Sequence, residues 1–245
     1  MKIAVLTIAL NEEEYIGACI KQFKDFDIDH LVLLSTINWH GDEIVPDQTE
    51  NICRALKTKV IKGYWKSETE QRNYGLAYLR DYDYVLIVDA DELYLKKDIQ
   101  TIIDQLGVIG AFRVKKIVTF YKDTEHILDP PDKHHPLIAL DPKRYIFFDN
   151  REIRNIHDKS PEYFLQPVDI ILYHFSFAKT DRKVFEKINS FAHKQDIIKR
   201  WGSTKNYFET VYKGENQQNI RPYGEEVSHL VEYDCPKEIK DLIFS

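Results

Sequence analysis

Cysteine is scarce in this chain: three residues in 245, Cys19, Cys53 and Cys235, with no C-x-x-C pair among them. An odd, dispersed set offers neither a disulfide framework nor a structural zinc site, so a reducing, cytoplasmic environment is expected. No apolar run approaches the ~20 residues that span a bilayer, which excludes a transmembrane helix. The opening Met1–Leu10 is apolar but has no small-residue cleavage site and runs straight into Asn11-Glu12-Glu13-Glu14, so it reads as a first strand and not as a signal peptide. An excess of basic residues is missing too. Lys and Arg number 34 against 40 Asp and Glu, a formal charge of −6, which argues against a general nucleic-acid coat. No internal repeat, long linker or low-complexity segment divides the chain. Its length suits one large α/β domain or a domain with an appendage, burying roughly 70–75% of its extended surface.

What the chain does have is an apolar run that stops on carboxylates, Tyr84-Val85-Leu86-Ile87-Val88-Asp89-Ala90-Asp91-Glu92. Such a run reads as a central strand covered on both faces. Asp89 and Asp91 are two residues apart, so on an extended backbone both face one side, where like charges need a metal, an Arg or a proton between them. Hard oxygen ligands suit Mg²⁺ or Mn²⁺, completed by water and substrate phosphate. A strand ending in a solvated acidic turn is the plainer alternative.

Around that run, strands are expected at 3–10, 31–35 and 59–62 and helices at 12–24 and 48–57. A helix is also expected from Ser67 to about Arg80, where Ser67-Glu68-Thr69-Glu70 has capping-box spacing. Alternating strands and helices to about residue 110 predict a mainly parallel sheet. Later strands at 111–121, 137–140, 145–148 and 168–175 lack intervening helices and predict a mixed sheet with hairpins. The segment 122–136 reads as an irregular surface loop, with His134 and His135 as surface residues. From Thr180 the pattern is helical.

Asn11-Glu12-Glu13, then Trp65 with Gln71-Arg72-Asn73-Tyr74-Gly75-Leu76, then Asp83 through Glu92 come one after another in an order and spacing that resembles the family 2 glycosyltransferases. The resemblance is to a bacterial and phage branch with an Asp-x-Asp-Glu motif, which includes lipopolysaccharide-core and peptide glycosyltransferases, and it covers about residues 1–178. It implies a GT-A fold: a Rossmann-like α/β domain over 1–178 with a mixed, mainly parallel sheet flanked by helices, then a helical extension over 179–245 packed on it. It further implies a nucleotide-sugar donor, usually a UDP-sugar, with Mn²⁺ or Mg²⁺ at the diphosphate. Ala9, Asn11 and Glu12 then belong to the nucleobase and ribose loop, Asp89 and Ala90 lie beside the ribose, Arg72 supports the nucleotide and Asp89, and Asp91 ligates the metal. The segments Asp141–Phe148, Ile156-His157-Asp158 and Leu172-Tyr173-His174-Phe175 resemble later family segments, which implies His174 as a second metal ligand and His157 or Asp158 on the acceptor side.

One departure stands out. Where the family has a base-reading Asp after the second strand, this chain has Leu34-Ser35-Thr36-Ile37-Asn38-Trp39-His40-Gly41-Asp42, making Ser35 the nearest equivalent and Asp42 a substitute from a longer loop. An acceptor hydroxyl must lose its proton during transfer, so a carboxylate base is expected, Asp158 first and Glu92 second. Inversion in one displacement is what the family implies. The acceptor is a glycan, a lipid-linked species, a protein or modified DNA. The basic run Lys179, Arg182, Lys183, Lys187, Lys194, Lys199, Arg200 and Lys205 is read as a solvated helix face or a seat for an anionic acceptor, and the C-terminal helices as a surface for self-association. A sugar nucleotidyltransferase and a non-catalytic nucleotide- or sugar-binding module are the alternatives. The first usually carries a Gly-rich basic loop after the first strand, where this chain has Asn11-Glu12-Glu13-Glu14.

Overall fold

The structure, a computed structural model, describes residues 1–163, 165–215, 218–222 and 227–245. The first half alternates strands and helices: β1 (Ile3–Ala9), α1 (Ile16–Lys21), β2 (Asp29–Ser35), α2 (Thr49–Ala55), β3 (Lys59–Gly63), α3 (Glu68–Tyr78) and β4 (Tyr84–Ile87). These strands form a parallel block in the order β3-β2-β1-β4. Every residue of β1 is buried, as a strand covered on both faces requires. Helix α1 starts four residues later than the sequence pattern predicts. Asn11 holds φ 54°, and the amides of Tyr15 and Ile16 both bond to the carbonyl of Glu12, so Glu12–Tyr15 is spent on a turn that presents carboxylates at the strand end.

The start of α3 obeys its sequence. Ser67 Oγ accepts from the Glu70 amide at 3.1 Å, the N-cap bond, and Glu70 Oε2 reaches back to accept from the amide of Lys66, one residue before the cap, at 2.6 Å. Gly75 lets this helix lie close on the sheet, since a Cβ there would collide with both methyl groups of Leu6. Arg72, one turn earlier, is thereby driven under the end of β4.

Beyond β4 come β5 (Glu92–Leu93), α4 (Lys96–Gln105), β6 (Ala111–Tyr121), β7 (His126–Asp129), β8 (Leu137–Leu140), the hairpin β9 (Tyr145–Asp149) and β10 (Glu152–Asn155), and β11 (Pro167–Phe177). Strand β8 runs antiparallel between β4 and β6, while β11 lies parallel to β6 and antiparallel to the short β5. The architecture is therefore a mixed α/β sheet with a parallel central block and helices on its faces, as expected.

Two expectations need correcting. The segment 122–136 is not wholly irregular: β7 within it pairs with β6 and with β12 (His229–Glu232). Nor is the C-terminal portion wholly helical. It holds α5 (Asp181–Ser190), α6 (Lys194–Trp201), the single turn α7 (Thr204–Asn206) running into a π-helical turn at Tyr207–Tyr212, then β12 and α8 (Lys237–Phe244). Strand β12 extends the main sheet, and Cys235 and Ile239 enter the same apolar core as Val5, Leu86 and Phe175. Pairing across about a hundred residues leaves no local trace in the sequence. Among the described residues no helix is long and apolar enough to cross a membrane.

Candidate active site

Strand β4 gives out at Ile87, and the carboxylates just beyond it occupy a turn. The Glu92 amide bonds to the Asp89 carbonyl at 3.0 Å, and Glu92 Oε2 accepts from the Asp89 amide at 2.9 Å. The backbone between the two Asp residues is therefore not extended, and their side chains part company.

Asp89 turns toward α3 and the β9–β10 hairpin. Arg72 Nη2 reaches its two oxygens at 2.8 and 3.2 Å. Arg151, at the hairpin tip with φ 50°, places Nη2 3.2 Å from Asp89 Oδ2 and 2.7 Å from Glu92 Oε2. Burial alone would raise the Asp89 carboxyl, but Arg151 and Arg72 outweigh it and hold the group down at about 2. Glu92 is the opposite case: burial dominates and its carboxyl sits above the ordinary range despite Arg151. Enclosed by Arg151 and the Asp89 amide, Glu92 braces the turn.

Asp91 turns the other way, toward β11 and α5. The Phe175 amide bonds to the Asp91 carbonyl at 2.9 Å, and β11 pairs His174 opposite Glu92, which sets His174 Nε2 3.6 Å from Asp91 Oδ1. Lys187 Nζ lies 2.5 Å and Lys179 Nζ 3.3 Å from Asp91 Oδ2. Burial would raise the Asp91 carboxyl, but these two ammonium groups and His174 hold it well below its ordinary value.

Asp91 Oδ1 and His174 Nε2, 3.6 Å apart, are the oxygen and imidazole pair that would hold Mg²⁺ or Mn²⁺. Among the described residues no group of three or more His, Cys, Asp or Glu could hold a metal. Water and substrate oxygens would have to complete the shell, the usual state of such ions beside phosphates.

Asp89, Asp91, Glu92, Arg151, His174 and Lys187 line one cavity of about 490 Å³. Its wall includes Ala9, Leu10, Glu12, Trp39, Glu68 and Gln71 together with Ile117, Leu128, Asp132, His134, Leu172 and Phe177, and Ser190–His193. Such a volume suits a small organic ligand.

Of the residues singled out from sequence, Ala9, Glu12, Asp89, Ala90, Asp91, Glu92 and His174 line this cavity, and Arg72 stands directly behind it on Asp89. Asn11 does not line it. Its side chain donates to the Val45 carbonyl at 2.8 Å and accepts from the Asp47 amide at 3.3 Å, latching the loop after β2. Ser35 is buried at the end of β2 and does not line it either. Asp42 is turned into an Asx-type loop with Asn38 at 3.0 Å and lines a second cavity, on the α5 side. Asp158 sits in an exposed turn, accepting from Ser160 N and Oγ at 2.9 and 2.6 Å, and lines neither cavity.

His134 is exposed, as the sequence reading has it, and stands at the rim of the cavity. Trp39 also lines the cavity and donates to Gln71 Oε1 at 3.2 Å. The basic run divides: Arg182, Lys199 and Lys205 are exposed as a solvated face would be, whereas Lys179 and Lys183 are buried and Lys187 is 17% exposed, each facing carboxylates. A signal for them was present, since Lys179, Lys183 and Lys187 recur every four residues, a like-charge stripe that needs acidic partners.

Comparison with solved structures finds distant backbone likenesses. A TarS structure from S. aureus matches 50% of this chain and 36% of its own at 19% identity, with a TM-score of 0.37. The mannosyltransferase PcManGT from Pyrobaculum calidifontis, in complex with GDP-Man and Mn²⁺, matches 99% of this chain and 68% of its own at 12% identity and a TM-score of 0.47. The glycosyltransferase GlyE of Streptococcus pneumoniae TIGR4 matches 58% and 35% at 13% identity and a TM-score of 0.35. This chain thus spans little more than a third of the TarS and GlyE structures. No family model and no curated protein sequence matches it.

Proposed function

We propose that the chain is a glycosyltransferase that moves a sugar from a nucleotide-sugar donor, a UDP-sugar by the sequence resemblance, to an acceptor hydroxyl with inversion. The observation that carries this reading is the pairing of Asp89 with Arg72 and of Asp91 with His174 at the wall of one cavity. A divalent cation held by Asp91 and His174 would stabilise charge on the departing diphosphate by Lewis-acid action. The residues of the chain divide the remaining tasks. Arg72 and Arg151 keep Asp89 ionised at neutral pH, so that it is an acceptor for ribose hydroxyls. Ile117, Leu128, Leu172 and Phe177 give the cavity apolar lining against which a sugar or acceptor could pack.

The acceptor proton needs a base. Among the described residues every carboxylate at the cavity wall is paired with a cation: Glu12 and Asp91 with lysines, Glu68 and Asp89 with Arg72, Glu92 with Arg151, and Asp132 with Arg221 at 3.0 Å. His134 is the base we assign. Its amide is anchored to Asp132 Oδ1 at 2.9 Å. Desolvation at the rim and the charges of Arg151 and Arg113 hold its imidazole below the ordinary 6.5, against the opposing pull of Asp132 and Glu152. It is then neutral and able to accept a proton at pH 7. Transfer should fall as pH drops below 6.5 through that lowered value, and His134→Gln should cost about 10²–10³-fold in kcat and flatten the acid limb. Full activity in His134→Gln, with loss in Asp158→Asn, would return the role to Asp158.

The donor assignment is tested by thermal unfolding with a panel of nucleoside diphosphates, with and without Mn²⁺. A Mn²⁺-dependent rise in Tm with UDP is the expected result, and no rise with any nucleoside diphosphate would overturn it. Mass spectrometry of products from donor and acceptor mixtures then separates sugar transfer from nucleotidyl transfer.

A further inference from the structure

Four charges alternate around a closed ring at the side of the cavity, drawn from four separate parts of the chain. Asp91 comes from the turn after β4, Glu12 from the turn after β1, Lys179 from the link between β11 and α5, and Lys187 from α5. Lys187 Nζ lies 2.5 Å from Asp91 Oδ2 and 3.2 Å from Glu12 Oε1. Lys179 Nζ lies 3.3 Å from Asp91 Oδ2 and in closer contact with Glu12 Oε2. Two carboxylates and two ammonium groups leave the ring formally neutral. Its members differ in access: the Lys179 side chain is 2% exposed and Asp91 4%, whereas Lys187 is 17% exposed and lines the cavity.

That arrangement bears on what can enter. Asp91 is the carboxylate best placed to hold a cation, yet one of its oxygens is already committed to two ammonium groups, and a divalent ion arriving alone meets their positive charge at short range. A diphosphate changes the balance because it offers Lys187 a second anion within the same cavity. Lys179, sealed behind Glu12, has no such freedom. Lys187 hangs from a helix over the cavity and can turn from one anion to the other by rotating its own side chain.

We propose that Lys187 is a counter-ion shared in turn by Asp91 and the donor diphosphate, holding Asp91 before the donor binds and contacting the diphosphate afterwards, so that cation and nucleotide are taken up together. The inference rests on the nucleotide-sugar reading. It makes Lys187 a donor-positioning residue and predicts coupling between two ligands, equal in both directions.

The experiment is a titration with Mn²⁺, the free ion monitored by electron paramagnetic resonance, on wild type and variants, without nucleotide and with saturating UDP. A UDP titration without Mn²⁺ is run by calorimetry alongside. Wild type should take up Mn²⁺ poorly alone and about 10–100-fold more tightly with UDP. Lys187→Gln should bind Mn²⁺ alone about tenfold more tightly than wild type, and UDP alone about tenfold more weakly. Lys187→Arg keeps the charge and should exclude Mn²⁺ as wild type does. Lys183→Gln, whose lysine pairs with Glu13 and Asp47 and not with Asp91, should leave both affinities unchanged. The inference is overturned if Lys187→Gln takes up Mn²⁺ alone no better than wild type, or binds UDP alone as tightly. The nucleotide reading fails separately, if wild type binds no nucleoside diphosphate under any of these conditions. In that event tighter Mn²⁺ uptake by Lys187→Gln still supports Lys187 as the resident counter-ion of Asp91.

Discussion

Replacing Arg151 by Met should cost about 3–5 kcal/mol of folding stability, read as a lower urea midpoint with the slope unchanged. The size reflects the charge left behind. Arg151 is 6% exposed and Glu92 4%, so the substitution strands a buried carboxylate beside Asp89, which retains only Arg72. Removing one member of a buried ion pair is far more costly than replacing the whole pair, because the remaining charge keeps its desolvation penalty and loses its compensation. The double variant Arg151→Met with Glu92→Gln should therefore recover a substantial part of the loss, since an amide carries no charge and still accepts from the Asp89 amide through its oxygen. A single variant as stable as wild type would reject Arg151 as the group that neutralises the turn. Equal instability of single and double variants would instead assign the loss to packing of the hairpin tip.

Arg151 also marks the limit of what this sequence discloses. Strands β1 through β4 and the cap at Ser67 are local patterns, and a strand filled with Val, Leu and Ile that ends on Asp can be recognised from its own residues. Arg72 and His174 are legible because they stand at a recognisable distance from motifs. Arg151 has no motif. It reaches Asp89 because the β9–β10 hairpin folds over α3, where Asn73 Nδ2 donates to the Phe147 carbonyl at 2.8 Å and Asn73 Oδ1 accepts from its amide at 2.8 Å. No periodicity announces that contact. The parting of Asp89 and Asp91 is hidden for a related reason: a strict alternation places both on one side, but the alternation ends at Ile87, and the backbone beyond it is governed by Glu92 closing a turn. Lys187 is a third kind of case, since a basic helix face is usually solvated, and only its acidic surroundings, scattered from residue 12 to residue 91, reverse that expectation.

Asp91→Asn should lower transfer by about 10²–10³-fold, corresponding to roughly 3–4 kcal/mol of lost stabilisation of the departing diphosphate. The amide keeps the shape of the side chain, and Glu12 continues to pair with both Lys179 and Lys187, so the variant should remain folded. Loss of activity alone would not distinguish a metal ligand from any other essential carboxylate. The discriminating quantity is the dependence of UDP affinity on Mn²⁺. In wild type Mn²⁺ should strengthen UDP binding. In Asp91→Asn that strengthening should vanish, because the hard anionic oxygen is gone and His174 alone is a weak seat for the ion. UDP affinity without Mn²⁺ should hold or rise, since Lys187 no longer has Asp91 as a competing anion. A variant in which Mn²⁺ still tightens UDP binding would remove Asp91 from the metal shell. One in which UDP without Mn²⁺ binds markedly more weakly would mean that Asp91 shapes the diphosphate site and does not compete for its lysine.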